Sequence, residues 1–314
     1  MANSPVAILV IWIGPFPSSF DLWLLSIKNS PFDFIFVTDQ KQPIECTQYK
    51  WLNSTLEELC ALFSSTLGFQ AALSFPYKLC DYRPLYGEAF SDILYNYDYW
   101  GYCDLDMVFG DCSSVLELVE NKTITKIFQR GHLSLIKNDS NINSLYRKSN
   151  LIDYKYIYMN EKSCMFDEWH GIGKILKYEG YEVFHSEIMV DINPNSLYFK
   201  PSNINSFKHQ LFIYNNGSIK HLYYKDGSLC KSEFLYIHFQ KRKIDFSLVD
   251  TGINSYAFMP DKVIPFNESD FSSSDLLKIN DRDYVHFINR LFERIKIKIN
   301  PNLNKFDQYV MTIK

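Results

Sequence analysis

Two carboxylates separated by one residue, at the end of an apolar run, are what most needs a chemical explanation in this sequence. The stretch Tyr97–Asp111 reads Tyr-Asp-Tyr-Trp-Gly-Tyr-Cys-Asp-Leu-Asp-Met-Val-Phe-Gly-Asp. In an extended chain alternate side chains share a face, so Asp104 and Asp106 point one way while Leu105 and Met107 point into a core. Like charges on one face repel, and burial adds a desolvation cost. A hard divalent cation removes both penalties. Mg²⁺ or Mn²⁺ takes such oxygens together with the phosphates of a substrate. An isolated Asp-X-Asp is commonly a solvated turn. Here the pair follows an apolar strand and is closed by the turn signal Gly110-Asp111, which favours a metal–diphosphate site.

A pair like this needs elements to hold it. Val6-Ala-Ile-Leu-Val-Ile-Trp-Ile13 is rich in β-branched residues, as expected of a strand covered on both faces. Gly14-Pro15-Phe16-Pro17 ends it, Ser18 and Ser19 offer caps, and Phe20–Asn29 has helical spacing. Asp33–Val37 is a second apolar strand closed by Thr38-Asp39. Strand, helix, strand is the unit of a parallel sheet, and ligands in such sheets bind beyond the carboxyl ends of the strands. Gly14 and Asp39 fall there, and Asp104 and Asp106 end a third strand, so the three places converge.

Further along, Ser54–Leu67 and Tyr77–Leu94 read as helical. Lys78 and Asp81 share a helical face, with Arg83 near a break at Pro84. They are either a surface ion pair or a helix beside a nucleotide with a cation for its diphosphate. Cys112–Asn121 reads as a helix, Gly131–Ile136 as a strand, and Tyr154–Tyr158 as a short strand or lid. Ile172–Glu179 is helical. Asn216-Gly217 and Asp226-Gly227 are hairpin turns, and Phe234–Lys243 is a strand running into a basic patch.

Composition bounds the classes available. The chain has 314 residues, 46% hydrophobic and 22% charged, which places it among globular proteins with a large core. A formal net charge of −4 argues against a nucleic-acid binder. Seven cysteines, an odd number with no Cys-X-X-Cys pair, read as reduced thiols in a cytoplasmic protein. The apolar run Val6–Ile13 is too short to span a bilayer and has no basic segment before it.

Three segments together resemble bacterial glycosyltransferases of the GT-A fold, which take sugars from nucleotide sugars to build surface polysaccharide such as capsule, lipopolysaccharide or O-antigen. They are Ile11-Trp-Ile-Gly14 with Phe34-Ile-Phe-Val-Thr-Asp39, then Pro76-Tyr-Lys-Leu-Cys-Asp-Tyr-Arg-Pro84, then Trp100–Asp111 with its Asp-X-Asp. The resemblance implies an α/β fold with a central, mainly parallel, Rossmann-like sheet flanked by helices. It implies a catalytic domain over residues 1–243, with a nucleotide-sugar half to about 112 and an acceptor half from about 113. Residues 244–314 would be a C-terminal helical extension. It implies a nucleotide-diphosphate sugar as donor, chiefly a UDP-sugar, and Mn²⁺ or Mg²⁺ as cofactor. Asp106 would bind the metal, Asp104 the metal or the donor ribose. Asp39 would lie near the base or ribose, Lys78 and Asp81 near the donor, and Gly14 would let backbone approach the nucleotide.

Two further candidates follow from that family. His238, at a strand end and followed by Lys241, Arg242 and Lys243, matches the late histidine that completes the metal site, with Lys241 for the diphosphate. Otherwise it is a half-buried strand histidine beside a solvated turn. In Phe166-Asp167-Glu168-Trp169-His170, Asp167 or Glu168 would serve as base or bind the acceptor, with Trp169 stacked on a sugar ring. The alternative is a helix start where acids suit the dipole. The acceptor would be a growing glycan or a lipid-linked oligosaccharide. The tail Val285–Ile299 is basic and amphipathic, fit either to pack on the core or to lie on the inner face of the membrane. The rival readings are another metal-dependent phosphate enzyme, such as a nucleotidyltransferase, and a non-catalytic carbohydrate-binding protein. The first is disfavoured by the lack of a Gly-rich phosphate loop after the first strand.

Overall fold

The computed structural model describes residues 4–313. In chain order its strands are β1 (Val6–Trp12), β2 (Asp33–Thr38), β3 (Lys50–Asn53), β4 (Tyr99–Cys103), β5 (Met107–Phe109), β6 (Ile124–Ile127), β7 (Leu133–Lys137), β8 (Glu182–Phe184), β9 (Val190–Asp191), β10 (Gln210–Asn215), β11 (Ser218–Lys225), β12 (Ser228–Phe234), β13 (Tyr236–His238), β14 (Ser255–Phe258) and β15 (Val263–Pro265). The longer helices are α1 (Phe20–Ile27), α2 (Leu56–Leu67), α3 (Ser114–Glu120), α4 (Tyr154–Met159), α5 (Ile172–Tyr178) and α6 (Tyr284–Ile299).

Seven strands form the central sheet in the order β3-β2-β1-β4-β7-β6-β8. It is mainly parallel, and β7 is the strand that runs against its neighbours β4 and β6. This is the α/β architecture expected from the sequence. The period of two along the strands builds a core on each face. Ala7 and Leu9 of β1, with Ile35 and Val37 of β2, face the cluster under α2, α4 and α5. Ile8, Val10, Phe34 and Phe36 face the cluster with α1. Because β1 is covered on both sides, its sequence is an unbroken apolar run rather than an alternation.

A three-stranded sheet, β5-β13-β9, lies beyond the end of β4. The carboxylate pair therefore occupies a bend between two sheets and not the tip of a single strand. Leu105 and Met107 are buried, as the alternation requires. The bend is pinned through its backbone: Asp104 N–H donates to His132 O at 3.0 Å, and Phe239 N–H donates to Asp106 O at 2.9 Å. Trp23 Nε1–H also donates to Asp104 O, at 3.2 Å.

The third sheet is antiparallel, β12-β11-β10-β14-β15. Its hairpins turn at Asn216-Gly217 and Asp226-Gly227, all four residues with positive φ. β14 and β15 lie beyond the boundary expected near residue 243, and they complete this sheet by pairing with β10 and with each other.

One local expectation fails for a physical reason. Residues 154–158 are helical, as α4, and not a strand. Asp153 caps them by accepting from Lys155 N–H at 2.9 Å and Tyr156 N–H at 3.2 Å, and Tyr154, Ile157 and Tyr158 meet the core at helical spacing. Residues 77–94 are helical as read, in short pieces (Leu79–Tyr82, Tyr86–Ala89 and Ser91–Leu94) interrupted around Pro84, which cannot donate to the ladder.

Candidate active site

A cleft of about 1160 Å³ opens where the ends of β1 and β4 meet the three-stranded sheet. Asp104, Asp106 and His238 converge in it, with donor atoms all within 4.8 Å of one another. His238 Nε2 lies 3.3 Å from Asp106 Oδ1 and 3.8 Å from Asp104 Oδ2. β13 brings the histidine there by pairing antiparallel with β5, which places His238 opposite Met107.

His238 is held from behind. Its Nδ1 is 2.9 Å from Asp191 Oδ1, so Nε2 is the nitrogen offered to the cleft. Asp191 is itself fixed by Gln240 Nε2–H at 2.6 Å and Arg130 at 3.0 Å. Burial alone would lower the imidazole pKa. The carboxylates of Asp106, Asp191 and Asp104 outweigh it and hold the value up to about 10. The field that favours a proton there also favours a divalent cation. Two carboxylates and one imidazole form a mixed oxygen–nitrogen donor set that suits Mn²⁺ and accepts Mg²⁺. The residues present therefore fit such an ion.

Beside His238 lies His132, whose ring centroid is 4.4 Å away. Its Nδ1 meets Tyr236 Oη at 3.0 Å, and its buried Nε2 has no hydrogen-bond partner among the described residues. Burial first, and the charge on His238 second, lower its pKa to about 3, so it is neutral. His132, Asp191 and His238 also lie within ligating distance of one another. Asp191 already accepts from Gln240 and Arg130 and faces His238, which makes this group a support for the first.

Arg83 is the residue whose importance its sequence position conceals. The break at Pro84 turns it inward. It donates to Asp104, to Asp167 Oδ2 at 2.7 Å and to Gly131 O at 2.7 Å, and its guanidinium lies 4.9 Å from the centroid of the Tyr102 ring. Burial would raise the Asp104 carboxyl, but Arg83 and His238 outweigh it and keep it below the ordinary aspartate range. At Asp167 the balance reverses. Burial, with Glu168 assisting, exceeds the pull of Arg83 and raises the carboxyl to about 7. Burial likewise raises Glu168. Gly131 leaves room for both carboxylates: a Cβ would stand 2.7 Å from Asp167 Oδ2 and 2.8 Å from Glu168 Oε1 and would push them aside. Asp167, Glu168 and the exposed Trp169 all line the cleft.

Gly14 and Asp39 sit together at the ends of β1 and β2. Gly14 N–H donates to Asp39 Oδ1 at 2.9 Å. Gly14 has φ +97°, and a Cβ there would meet nothing within 4 Å. Its conformation, rather than crowding, asks for glycine. Hydrogen bonds from Gln40 and Gly14 lower the Asp39 carboxyl. Lys241 lines the cleft, with Nζ 5.2 Å from the centroid of the Phe306 ring.

Lys78 and Asp81 do not belong to the cleft. Both are fully buried and pair at 2.8 Å. Lys78 Nζ also donates to Ile157 O at 3.0 Å and Lys162 O at 2.6 Å, and Asp81 accepts from Cys164 and Phe166 N–H at 2.7 and 2.9 Å. The pair expected beside a nucleotide instead fastens the segment before Asp167 from underneath. The functional neighbours hidden in the sequence are Arg83, His132 and Asp191. Asp191 ends a two-residue strand, too short to show a period, and only the turn at Pro84 hinted at Arg83.

Residues 8–267 match the model of a family of unknown function, DUF6625. No curated protein matches the sequence. Among solved structures, mouse xyloside xylosyltransferase 1 is similar at 9% identity and a TM-score of 0.40, over 60% of this chain and 88% of that one. The glycosyltransferase GlyE of Streptococcus pneumoniae TIGR4 is similar at 13% identity and a TM-score of 0.32, over 57% of this chain and 44% of that one. A glycosyltransferase involved in glycosylation of the major capsid of PBCV-1 is similar at 10% identity and a TM-score of 0.33, over 59% of this chain and 85% of that one.

Proposed function

Since the chain belongs to DUF6625, a family of unknown function, we propose its activity from the site: a metal-dependent glycosyltransferase of GT-A type. It would move a sugar from a nucleotide-diphosphate sugar, a UDP-sugar in the first instance, to a growing glycan or lipid-linked oligosaccharide of surface polysaccharide. The carrying observation is the convergence of Asp104, Asp106 and His238, from distant parts of the chain, in one cleft at the ends of parallel strands. Work on the cytoplasmic side is supported by the free thiols of Cys60, Cys80, Cys103, Cys112, Cys164 and Cys230.

Asp104, Asp106 and His238 would hold Mn²⁺ or Mg²⁺. The ion, when bound, neutralises the diphosphate and stabilises its charge as it leaves. Asp191 fixes the His238 tautomer. Asp39, held through one carboxylate oxygen by Gly14 N–H, would offer its other oxygen to the nucleoside, and Lys241 would offer a cation to the diphosphate. Asp167 holds the acceptor hydroxyl and takes its proton in an inverting reaction. A carboxyl near 7 is a better base at neutral pH than an ordinary aspartate. Glu168 binds acceptor hydroxyls beside it, and the exposed indole of Trp169 stacks on a sugar face. Arg83 keeps the Asp104 and Asp167 carboxylates in fixed relation.

A thermal-shift screen of UDP-, GDP- and CDP-sugars, each with and without Mn²⁺, tests the proposal, followed by turnover of the best donor. Stabilisation by a nucleotide sugar that requires Mn²⁺ and disappears in Asp106→Ala is expected. Stabilisation by none of them would overturn the reading.

A further inference from the structure

The helix α6 is docked at its beginning and bare at its end. Asp283 caps it by accepting from His286 N–H at 2.8 Å, and the buried His286 Nε2 meets Pro194 O at 2.8 Å. From Leu291 to Ile299 every residue is exposed. Tyr284, Ile288, Leu291, Phe292, Ile295 and Ile299 are spaced three, four or one apart, so they form one stripe, and each is at least 42% exposed. A stripe of large apolar side chains left open to water marks a contact surface.

The charges around the stripe say what covers it. At 100° per residue Lys296 and Lys298 fall on opposite borders of the stripe, with Arg294 behind Lys298. The one acid of the helix, Glu293, is paired with Arg290 at 2.5 Å. Apolar centre and cationic borders complement an anionic lipid surface, where lysine stems lie along the acyl region and the ammonium groups reach the headgroups. A second copy of the helix would set cation against cation. No helix of the described residues is long and apolar enough to cross a membrane, so α6 would lie on the surface.

We infer that α6 is a membrane-docking helix that seats on anionic phospholipid through the Tyr284–Ile299 stripe. The chain after it returns to the cleft. Phe306 packs 5.5 Å from Tyr77 and lies under Lys241, both cleft residues. Asp307 N–H donates to Ser163 O at 2.8 Å, and Ser163 N–H to Lys305 O at 2.9 Å. Docking α6 therefore holds the cleft close to the bilayer. The proposal rests on the transferase reading only in making a lipid-linked acceptor the molecule met there.

The test is co-sedimentation of the full chain with vesicles of phosphatidylcholine alone or with phosphatidylglycerol. Phe292→Glu places a carboxylate in the stripe, and a Lys296→Glu/Lys298→Glu double variant reverses its borders. Both alter exposed residues only. We expect binding to the anionic vesicles alone, at least tenfold weaker in either variant and weakened by 0.5 M salt. Light scattering checks for a dimer, and turnover of a soluble acceptor should be the same in all forms. Absent binding, or binding that both variants keep, would overturn the proposal. So would a dimer that Phe292→Glu dissociates without any vesicle binding. Loss of turnover in the unaltered chain would instead count against the transferase reading.

Discussion

Two groups of charged side chains, one at residues 78 and 81 and the other at 104, 106 and 238, behave in opposite ways. Lys78 and Asp81 are completely buried, and backbone groups take up what their mutual pairing leaves over. Asp104, Asp106 and His238 crowd together with the carboxylates 30% and 42% exposed, and they face a cleft. The first group is satisfied by the protein and has nothing left to bind. The second has side-chain partners, Arg83 on Asp104 and Asp191 behind His238, but its carboxylates still turn free ligand oxygens to the open cleft. Charge alone separates nothing here; what separates the groups is whether the backbone has already answered it.

The sharpest test of this contrast removes one carboxylate from each group. Asp106→Ala should lower turnover roughly 10⁴-fold, about 5 kcal/mol, and lower the unfolding midpoint without metal only slightly, since the half-exposed Asp106 is one of three carboxylates beside His238. Steady-state kinetics with Mn²⁺ and a melt check it, and near-normal turnover would refute the metal assignment. Asp81→Ala should do the reverse. It strands a buried ammonium, so the fold should lose about 3–5 kcal/mol while turnover per folded molecule holds. Chemical denaturation beside active-site titration separates the two, and a stable but inactive Asp81→Ala would put this pair back in the site.

A smaller effect is expected behind the imidazole. Asp191→Asn keeps the shape but removes the negative charge behind the His238 ring, and metal affinity measured by calorimetry should fall 10–100-fold. An unchanged affinity would make Asp191 a mere core residue. The smallest effect is one of pH. The Asp167 carboxyl is raised to about 7 in the folded chain, so between its unfolded value near 4 and 7 the native state binds the extra proton. Stability from this group is then greatest below pH 4 and falls as pH rises to 7. Melting curves should show a midpoint lower by roughly a few degrees at pH 7 than at pH 5, and Asp167→Asn should flatten that difference. A slope that survives in the variant would place its origin elsewhere.

The strands that frame the cleft were legible because burial on both faces writes itself as unbroken apolar runs, as in Val6–Trp12 and Asp33–Thr38. The Asp104–Asp106 pair was legible because alternation exposes carboxylates between the buried Leu105 and Met107. Lys78 and Asp81 misled because helical spacing shows that two side chains share a face and not whether the face looks inward. Asp191 was silent because a strand of two residues carries no period. The bend at Asp104–Asp106 was hidden too, since the apolar run on either side continues across two different sheets.

That bend has a mechanical side. Its residues join the central sheet to the three-stranded one, while His238 comes from β13 on the far strand pairing. A cation held by all three side chains would act as a removable cross-link between points roughly 130 residues apart, closing a long loop in the chain. Only the folded chain has that clasp, so by mass action an ion at a hundred times its dissociation constant adds about 2.7 kcal/mol to stability. Such an ion would buckle two sheets together, and stripping it with a chelator would slacken the protein at the cleft.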